Sequence, residues 1–202
     1  MKYKVLSIDL DWLQSHFHLK NLNALFFDKV KTAKRIVFSK HHHTILNELH
    51  DKNNISLHNI DHHHDICYQE SQQTCITEGR ATYACWVGYL IYSKKLNEHY
   101  WYKNGDSSVL DPEQSHNSSQ YFFTNIIIHN ELPYHVVEDL THAQSVDTYD
   151  LMFVCSSQEY SNIQYSVVYD IYKDMCNDYY KFKTFEIQLT PDLPNTPLWF
   201  NK

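Results

Sequence analysis

Glycine is scarce in this chain. Its 202 residues include 3 glycines, where average usage of roughly 7% would supply about 14. Gly79, Gly88 and Gly105 stand far apart, so the clustered glycines that let a backbone wrap a phosphate in a P-loop or dinucleotide turn are missing. Long apolar runs are missing too. Nothing approaches the roughly 20 residues that cross a bilayer, so no membrane partner is expected. Basic excess is lacking: 17 Lys+Arg stand against 24 Asp+Glu, a formal net charge of −7 with a pI near 6.1. Broad phosphate-backbone contact wants a basic face, so no nucleic-acid partner is expected. Cysteines are few and odd in number, 5. Met1-Lys2-Tyr3-Lys4 runs straight into a strand-like segment with aspartates, which no secretory h-region carries. Reduced thiols in a cytoplasmic protein are the expectation.

A hydrophobic share of 43% with 20% charge excludes disordered and collagen-like classes, and 24.2 kDa suits one domain over residues 1–202. What the chain does have is histidine, 15 of them, with eight between His41 and His64.

Short apolar runs end repeatedly in ionisable residues. Val5-Leu6-Ser7-Ile8 leads into Asp9-Leu10-Asp11, Arg35-Ile36-Val37-Phe38 into Ser39-Lys40 and three histidines, and Ile55 to Ile60 into Asp61. Phe122 to Ile128 and Tyr149 to Cys155 are further β-rich runs. Helical spacing predicts helices over Phe17 to Val30, Thr44 to His50 and Glu78 to Lys95. A last helix is predicted from an N-cap at Ser161, with Ile163, Val167, Ile171 and Met175 on one face. Tyr102 to Ser119 reads as a surface loop, and the tail from Pro191 as extended, packed by Leu198, Trp199 and Phe200. Strands alternating with helices predict an α/β fold, a three-layer αβα with a mostly parallel central sheet. Ligands of such sheets lie off the carboxyl ends of the strands, which is where the ionisable clusters fall.

Three clusters carry the chemistry: Asp9-x-Asp11, His41-His42-His43, and Asp61-His62-His63-His64-Asp65. On an extended backbone residues i, i+2 and i+4 share a side, so Asp61, His63 and Asp65 are expected to face one way and His62 and His64 the other. Asp9 and Asp11 likewise share a side. Four aspartates converging at one sheet edge cannot all stay ionised in a partly buried cleft without cations. Two divalent ions would balance their charge. Mixed carboxylate and imidazole ligation suits Mn²⁺ or Fe²⁺, and the lack of thiolates in the clusters argues against structural zinc.

The DxHxD at Asp61, His63 and Asp65, the DxD at Asp9 and Asp11, and a histidine after another strand resemble the ligand set of the arginase–deacetylase superfamily. The small peptide-arginase branch is the nearer likeness, through Ser7-Ile8-Asp9-Leu10-Asp11-Trp12, Asn59 to Asp65 and Tyr149 to Ser156. The likeness is loose over the rest of the chain. It implies an arginase-like fold and two Mn²⁺ ions. The implied reaction hydrolyses arginine side chains in a ribosomally made precursor peptide to ornithine and urea. By this resemblance Asp9, Asp11, Asp61, His63 and Asp65 are metal ligands, with one histidine of the triplet. Spacing from the strand puts His42 there, the following Thr44-Ile45-Leu46 also fits His43, and both stand ahead of His41. The resemblance further implies an acidic residue holding the guanidinium, a role that Glu159 fits, and Asp65 relaying a proton to the leaving amine.

The chain departs from that pattern in two ways. Arginases place DxD after DxHxD, whereas here it comes first, as in a circular permutation. Their proton-shuttle histidine has no evident counterpart: His99 is the next histidine after His64, and Cys75, Glu78, Cys85 and Trp86 occupy the region, the cysteines reading as buried thiols. A rival comes from the same residues. Asp61-His62-His63 with an N-terminal DxD also looks like the Mn-dependent DHH phosphoesterases, although that family's glycine-bearing motifs are missing. A non-catalytic metal- or peptide-binding protein is the third reading.

Overall fold

A computed structural model describes residues 1–104, 131–157, 160–180, 188–189 and 198–199. Its strands are β1 (Tyr3–Asp9), β2 (Ile36–Ser39), β3 (Ile55–Ile60), β4 (Arg80–Ala81), β5 (Leu96–Tyr102), β6 (Tyr134–Val137), β7 (Leu151–Cys155), β8 (Gln188–Leu189) and β9 (Leu198–Trp199). The main sheet has the order β6-β5-β3-β1-β7-β2-β8 and every neighbouring pair in it is parallel; its last member is the two-residue β8. β4 and β9 form a separate antiparallel pair.

β1 is the hub. Alternation along it sends Leu6 and Ile8 into one apolar cluster and Val5 into another. The first cluster is covered by helices His16–Lys29, Thr141–Ser145 and Val168–Tyr180. The second is covered by helices Leu46–Leu49, Glu70–Thr77 and Trp86–Tyr92. This is the αβα arrangement that the alternating apolar runs predict. β1, β2, β3 and β7 are buried along their whole length apart from Tyr3 and Lys4, as strands covered on both faces must be. No described helix is long and apolar enough to cross a membrane.

Parallel pairing brings all the carboxyl ends to one edge. From β1 the chain steps past β7 to β2 on one side, then returns to β3 on the other. That reversal leaves a crevice at the ends of β1 and its neighbours.

Several expectations are corrected. Where a helix is predicted over Glu78 to Lys95, the structure has the short β4 and the helix Trp86–Tyr92, and a separate helix, Glu70–Thr77, ends just before. Gly79 is the cause: at φ 76° it turns the chain out of the first helix, with its amide closing on the Ile76 carbonyl at 3.0 Å. β5 and β6 have no counterpart among the predicted strands. In the last helix the buried face is Val168, Tyr169, Tyr172 and Cys176, and Ile163, Val167, Ile171 and Met175 are exposed. The aromatics win because they offer more area: Tyr172 stacks on Phe26 with ring centroids 3.7 Å apart and its hydroxyl donates to Asn23. Cys85 is buried and Cys75 only partly so. Phe122 to Ile128 and all of the Tyr102 to Ser119 loop beyond Asn104 lie outside the described residues, as does the tail apart from Leu198–Trp199.

Candidate metal centre

β1 ends at Asp9, and the chain turns at once into a 3₁₀ helix, Leu10–Trp12, in which Asp9 Oδ1 accepts from the Asp11 amide at 3.2 Å. β3 ends at Ile60, and Asp61 begins a turn in which its own Oδ1 accepts from the His63 amide at 2.8 Å. Extended alternation is therefore not what gathers these residues. Each aspartate instead caps the turn that follows its strand, which aims Asp11 and His63 back toward the strand ends. Asp65 takes a left-handed conformation, φ 52°. β2 is followed by a 3₁₀ helix, His42–Ile45, which carries His42 to the same point.

The result is a cavity of about 420 Å³ lined by Asp9, Asp11, His42, Asp61, His63 and Asp65, with Tyr68, Tyr83, Ala84, Ser157 and Tyr160 completing its walls. Ligand-type atoms of Asp9, His42 and Asp61 lie within 4.8 Å of one another, and so do those of Asp11, Asp61 and His63. Asp61 belongs to both groups. His42 Nδ1 is 3.0 Å from Asp9 Oδ2, 3.2 Å from Asp61 Oδ2 and 3.4 Å from Asp65 Oδ2. It is nevertheless a buried nitrogen with no partner in hydrogen-bonding geometry. Three carboxylate oxygens within 3.4 Å of an imidazole nitrogen that hydrogen-bonds none of them suit ligands gathered around a cation. Buried Asp and His groups this close can hold a metal ion.

Supporting contacts hold the ligands. His42 Nε2 bonds Ser7 Oγ at 2.6 Å, which leaves Nδ1 for the cavity. Ser157 Oγ donates to Asp9 Oδ2, Asn59 Nδ2 to Asp61 Oδ2 at 3.3 Å, and the Trp86 indole to Asp65 Oδ2 at 2.7 Å. Asp65 is fixed through its backbone as well: the Tyr68 hydroxyl accepts from its amide, and its carbonyl accepts from the amides of Val87 and Gly88.

The electrostatics match. Burial, then the charges of Asp9 and Asp61, push Asp11 up to about 7. Burial and neighbouring Asp65 do the same to Asp61, also to about 7. Burial works against a charged His63, yet the bond to Asp11 at 2.8 Å and the surrounding carboxylates carry it up to about 9. His42 is likewise raised, its burial outweighed by the three aspartates. Without a cation this cluster recruits protons in its place.

Of the sequence-predicted site residues, the structure brings together Asp9, Asp11, His42, Asp61, His63 and Asp65. His43 is buried elsewhere and held neutral by that burial, at about 4. His62 turns to Asn104 and His64 stacks on Tyr68. Glu159 lies outside the described residues. Sequence reasoning missed Ser7, Tyr68, Trp86, Ser157, Tyr83 and Tyr160. Ser7 was findable, since it shares the Asp9 side of β1 by period two; Trp86 arrives on the helix Trp86–Tyr92 and the others from later connecting segments that no local pattern ties to the site.

Gly88 has a particular place here. A Cβ on it would stand 2.0 Å from the Ile66 carbonyl oxygen and 2.9 Å from Ile76 Cδ1. Gly88→Ala must push the Trp86–Tyr92 helix away from the Asp65 turn. The expected result is a loss of about 3 kcal/mol or more of stability, with weaker metal binding because Trp86 no longer reaches Asp65. Thermal melting with and without manganese reads both effects, and an unchanged melting temperature would refute the close-packing argument.

Comparisons of the chain with protein-family models, curated proteins and solved structures returned no match, so the likeness to the arginase–deacetylase ligand set rests on the motif residues themselves.

Proposed function

We propose that the protein is a dinuclear manganese hydrolase that converts arginine side chains of a ribosomally made peptide to ornithine and urea. One observation carries the reading: two three-residue ligand groups share Asp61 beneath an open cavity whose described lining holds four aspartates and no lysine or arginine. The ions would balance the charge of those aspartates, so the missing glycine-bearing motifs, with 3 isolated glycines in the chain, are what set the DHH-type reaction behind.

Asp9, His42, Asp61 and Asp65 would hold one ion, and Asp11, Asp61 and His63 the other. Bound together the ions would supply Lewis acidity and a water acidic enough to attack near neutral pH. The reaction forms a C–O bond at the guanidinium carbon and breaks its bond to the side-chain nitrogen, which leaves as the ornithine amine. The chain's own residues orient these partners. Asp65, held by Trp86 and Tyr68, would carry a proton to the leaving nitrogen. Tyr83 and Tyr160, with ring centroids 6.2 Å apart at the cavity wall, offer aromatic faces to a flat cation. Glu159, next in sequence to Tyr160, is the residue assigned to pair with the guanidinium.

The test is direct. Manganese-loaded protein incubated with an arginine-containing peptide should lower its mass by about 42 Da per converted arginine, the CH₂N₂ lost on metal-assisted hydrolysis. Unchanged arginine peptides, with turnover of a phosphodiester instead, would overturn the reading.

A further inference from the structure

The apolar row that the sequence places on one face of the last helix is on the outside. Ile163, Val167, Ile171 and Met175 recur every four residues and are 86%, 58%, 50% and 43% exposed. Val167, Ile171 and Met175 form one ridge along the helix Val168–Tyr180 and the residue just before it, because residues four apart lie above one another on a helix; Ile163 stands ahead of it in the 3₁₀ turn Ile163–Tyr165. An exposed apolar ridge of this kind marks an interaction surface. The row follows the candidate site along the chain: Tyr160, three residues before Ile163, lines the cavity and lies 5.8 Å, ring to ring, from His63. Acidic side chains run beside it. Asp170 and Asp174 are exposed one position from Ile171 and Met175, and the segment from Tyr160 to Tyr180 holds three aspartates, Asp170, Asp174 and Asp178, against one lysine, Lys173.

We propose that this ridge is the docking track for the part of the substrate peptide that flanks the target arginine, a segment carrying apolar and basic residues. The proposal rests on the peptide-hydrolase reading above. Charge picks the occupant: an apolar row bordered by the exposed carboxylates of Asp170, Asp174 and Asp178, on a chain of net charge −7, suits a cationic peptide. Length is consistent. The 13-residue helix Val168–Tyr180 is about 20 Å long at about 1.5 Å per residue, which an extended peptide covers in about six residues.

Two labelled synthetic peptides test this: an acetylated, amidated arginine with one neighbour on each side, and the same unit extended on either side by six alternating leucines and lysines. Binding is read by fluorescence anisotropy and conversion by mass spectrometry, so the docking and the chemistry fail separately. The extended peptide should bind at least tenfold more tightly than the short one, and added salt should narrow the difference. The double variant Ile171→Lys, Met175→Lys should abolish that advantage while conversion of the short peptide continues. Tyr92→Lys, an exposed aromatic on the opposite layer, should retain it. Equal binding of both peptides by the parent, or an advantage surviving the double variant, would overturn the proposal. So would a parent that sediments as a dimer and a double variant that sediments as a monomer, since a second copy would then be the occupant. Tight binding of the extended peptide without any mass loss would keep the docking track and reject the hydrolase.

Discussion

Asp61→Ala should abolish manganese binding altogether, whereas Asp11→Ala should leave one ion per chain. Asp61 is the only residue common to both described ligand groups, and it is fully buried between them. Its Oδ2 faces His42 Nδ1 at 3.2 Å, and its Oδ1 lies 3.9 Å from His63 Nδ1. Removing it takes one carboxylate from each group and leaves the neighbouring aspartates without the cation that offsets their repulsion. Asp11 contributes to one group alone. Elemental analysis after dialysis should therefore give two ions per parent chain, one for Asp11→Ala and none for Asp61→Ala, with hydrolysis lost in both variants because two ions are needed. The metal-free Asp61→Ala protein should also melt higher than the metal-free parent. Burial and the charge of Asp65 hold off ionisation of the Asp61 carboxyl to about 7, and its removal relieves that conflict. Each tenfold loss of acidity on folding corresponds to about 1.4 kcal/mol at a pH where the unfolded group is ionised. If Asp61→Ala binds as much manganese as the parent, the shared-ligand geometry is wrong.

The parts of this site that were legible in the sequence share a physical origin. Asp9, Asp61 and the histidine triplet each follow a short apolar run, and in a parallel sheet the residue after a buried strand arrives at the ligand edge whatever the chain order. The reversed order of the two aspartate motifs was therefore no obstacle to reading them. Their convergence has a different cause from the expected one. The strands stop at Asp9 and Ile60, so alternation does not reach the motifs, and the same side chains meet because two turns curl back on their own aspartates. Trp86 and Tyr68 were not legible, since Asp65 meets them only when the Trp86–Tyr92 helix is seated through Gly88. Which row of the last helix is buried was not legible, for an energetic reason. Period alone could not tell which of two apolar rows is buried, and Tyr165, Val168, Tyr169 and Tyr172 take the core with larger side chains while the aliphatic row stays out. β5 was hidden because its sequence, Leu96 to Tyr102, mixes ionisable with aromatic residues and lacks the plain apolar run that marks β1, β3 and β7.

Stability in the metal-free state should fall steeply with acid, and histidines outside the ligand set set the slope. His43, His58, His64 and His99 are buried and kept neutral chiefly by that burial, with pKa values lowered to about 4, 3, 3 and 3. Below the ordinary histidine value of about 6.5 each binds a proton when unfolded but not when folded. Their contribution is therefore present above about 6.5 and lost as pH falls toward the folded values, by about 1.4 kcal/mol per pH unit for each group. Asp11 and Asp61 run the other way. Raised to about 7, they hold protons in the folded chain that the unfolded chain has released above about 4, so their stabilisation is lost as pH rises through about 7. His63, raised to about 9, is charged in both states below 6.5 and adds nothing there. Near pH 5 four protons taken up on unfolding against two released leave a net uptake, so stability should fall toward acid by roughly 3 kcal/mol per pH unit. Urea unfolding of chelator-treated protein at pH 5, 6 and 7 measures it. His99→Phe isolates one group: both ring nitrogens of His99 are buried without a partner, so a ring of similar shape removes an unsatisfied polar group as well as a titration. That variant should be more stable than the parent at every pH tested and flatter by about 1.4 kcal/mol per pH unit. A parent whose stability does not change between pH 7 and pH 5 would show that these imidazoles open to water before the fold does.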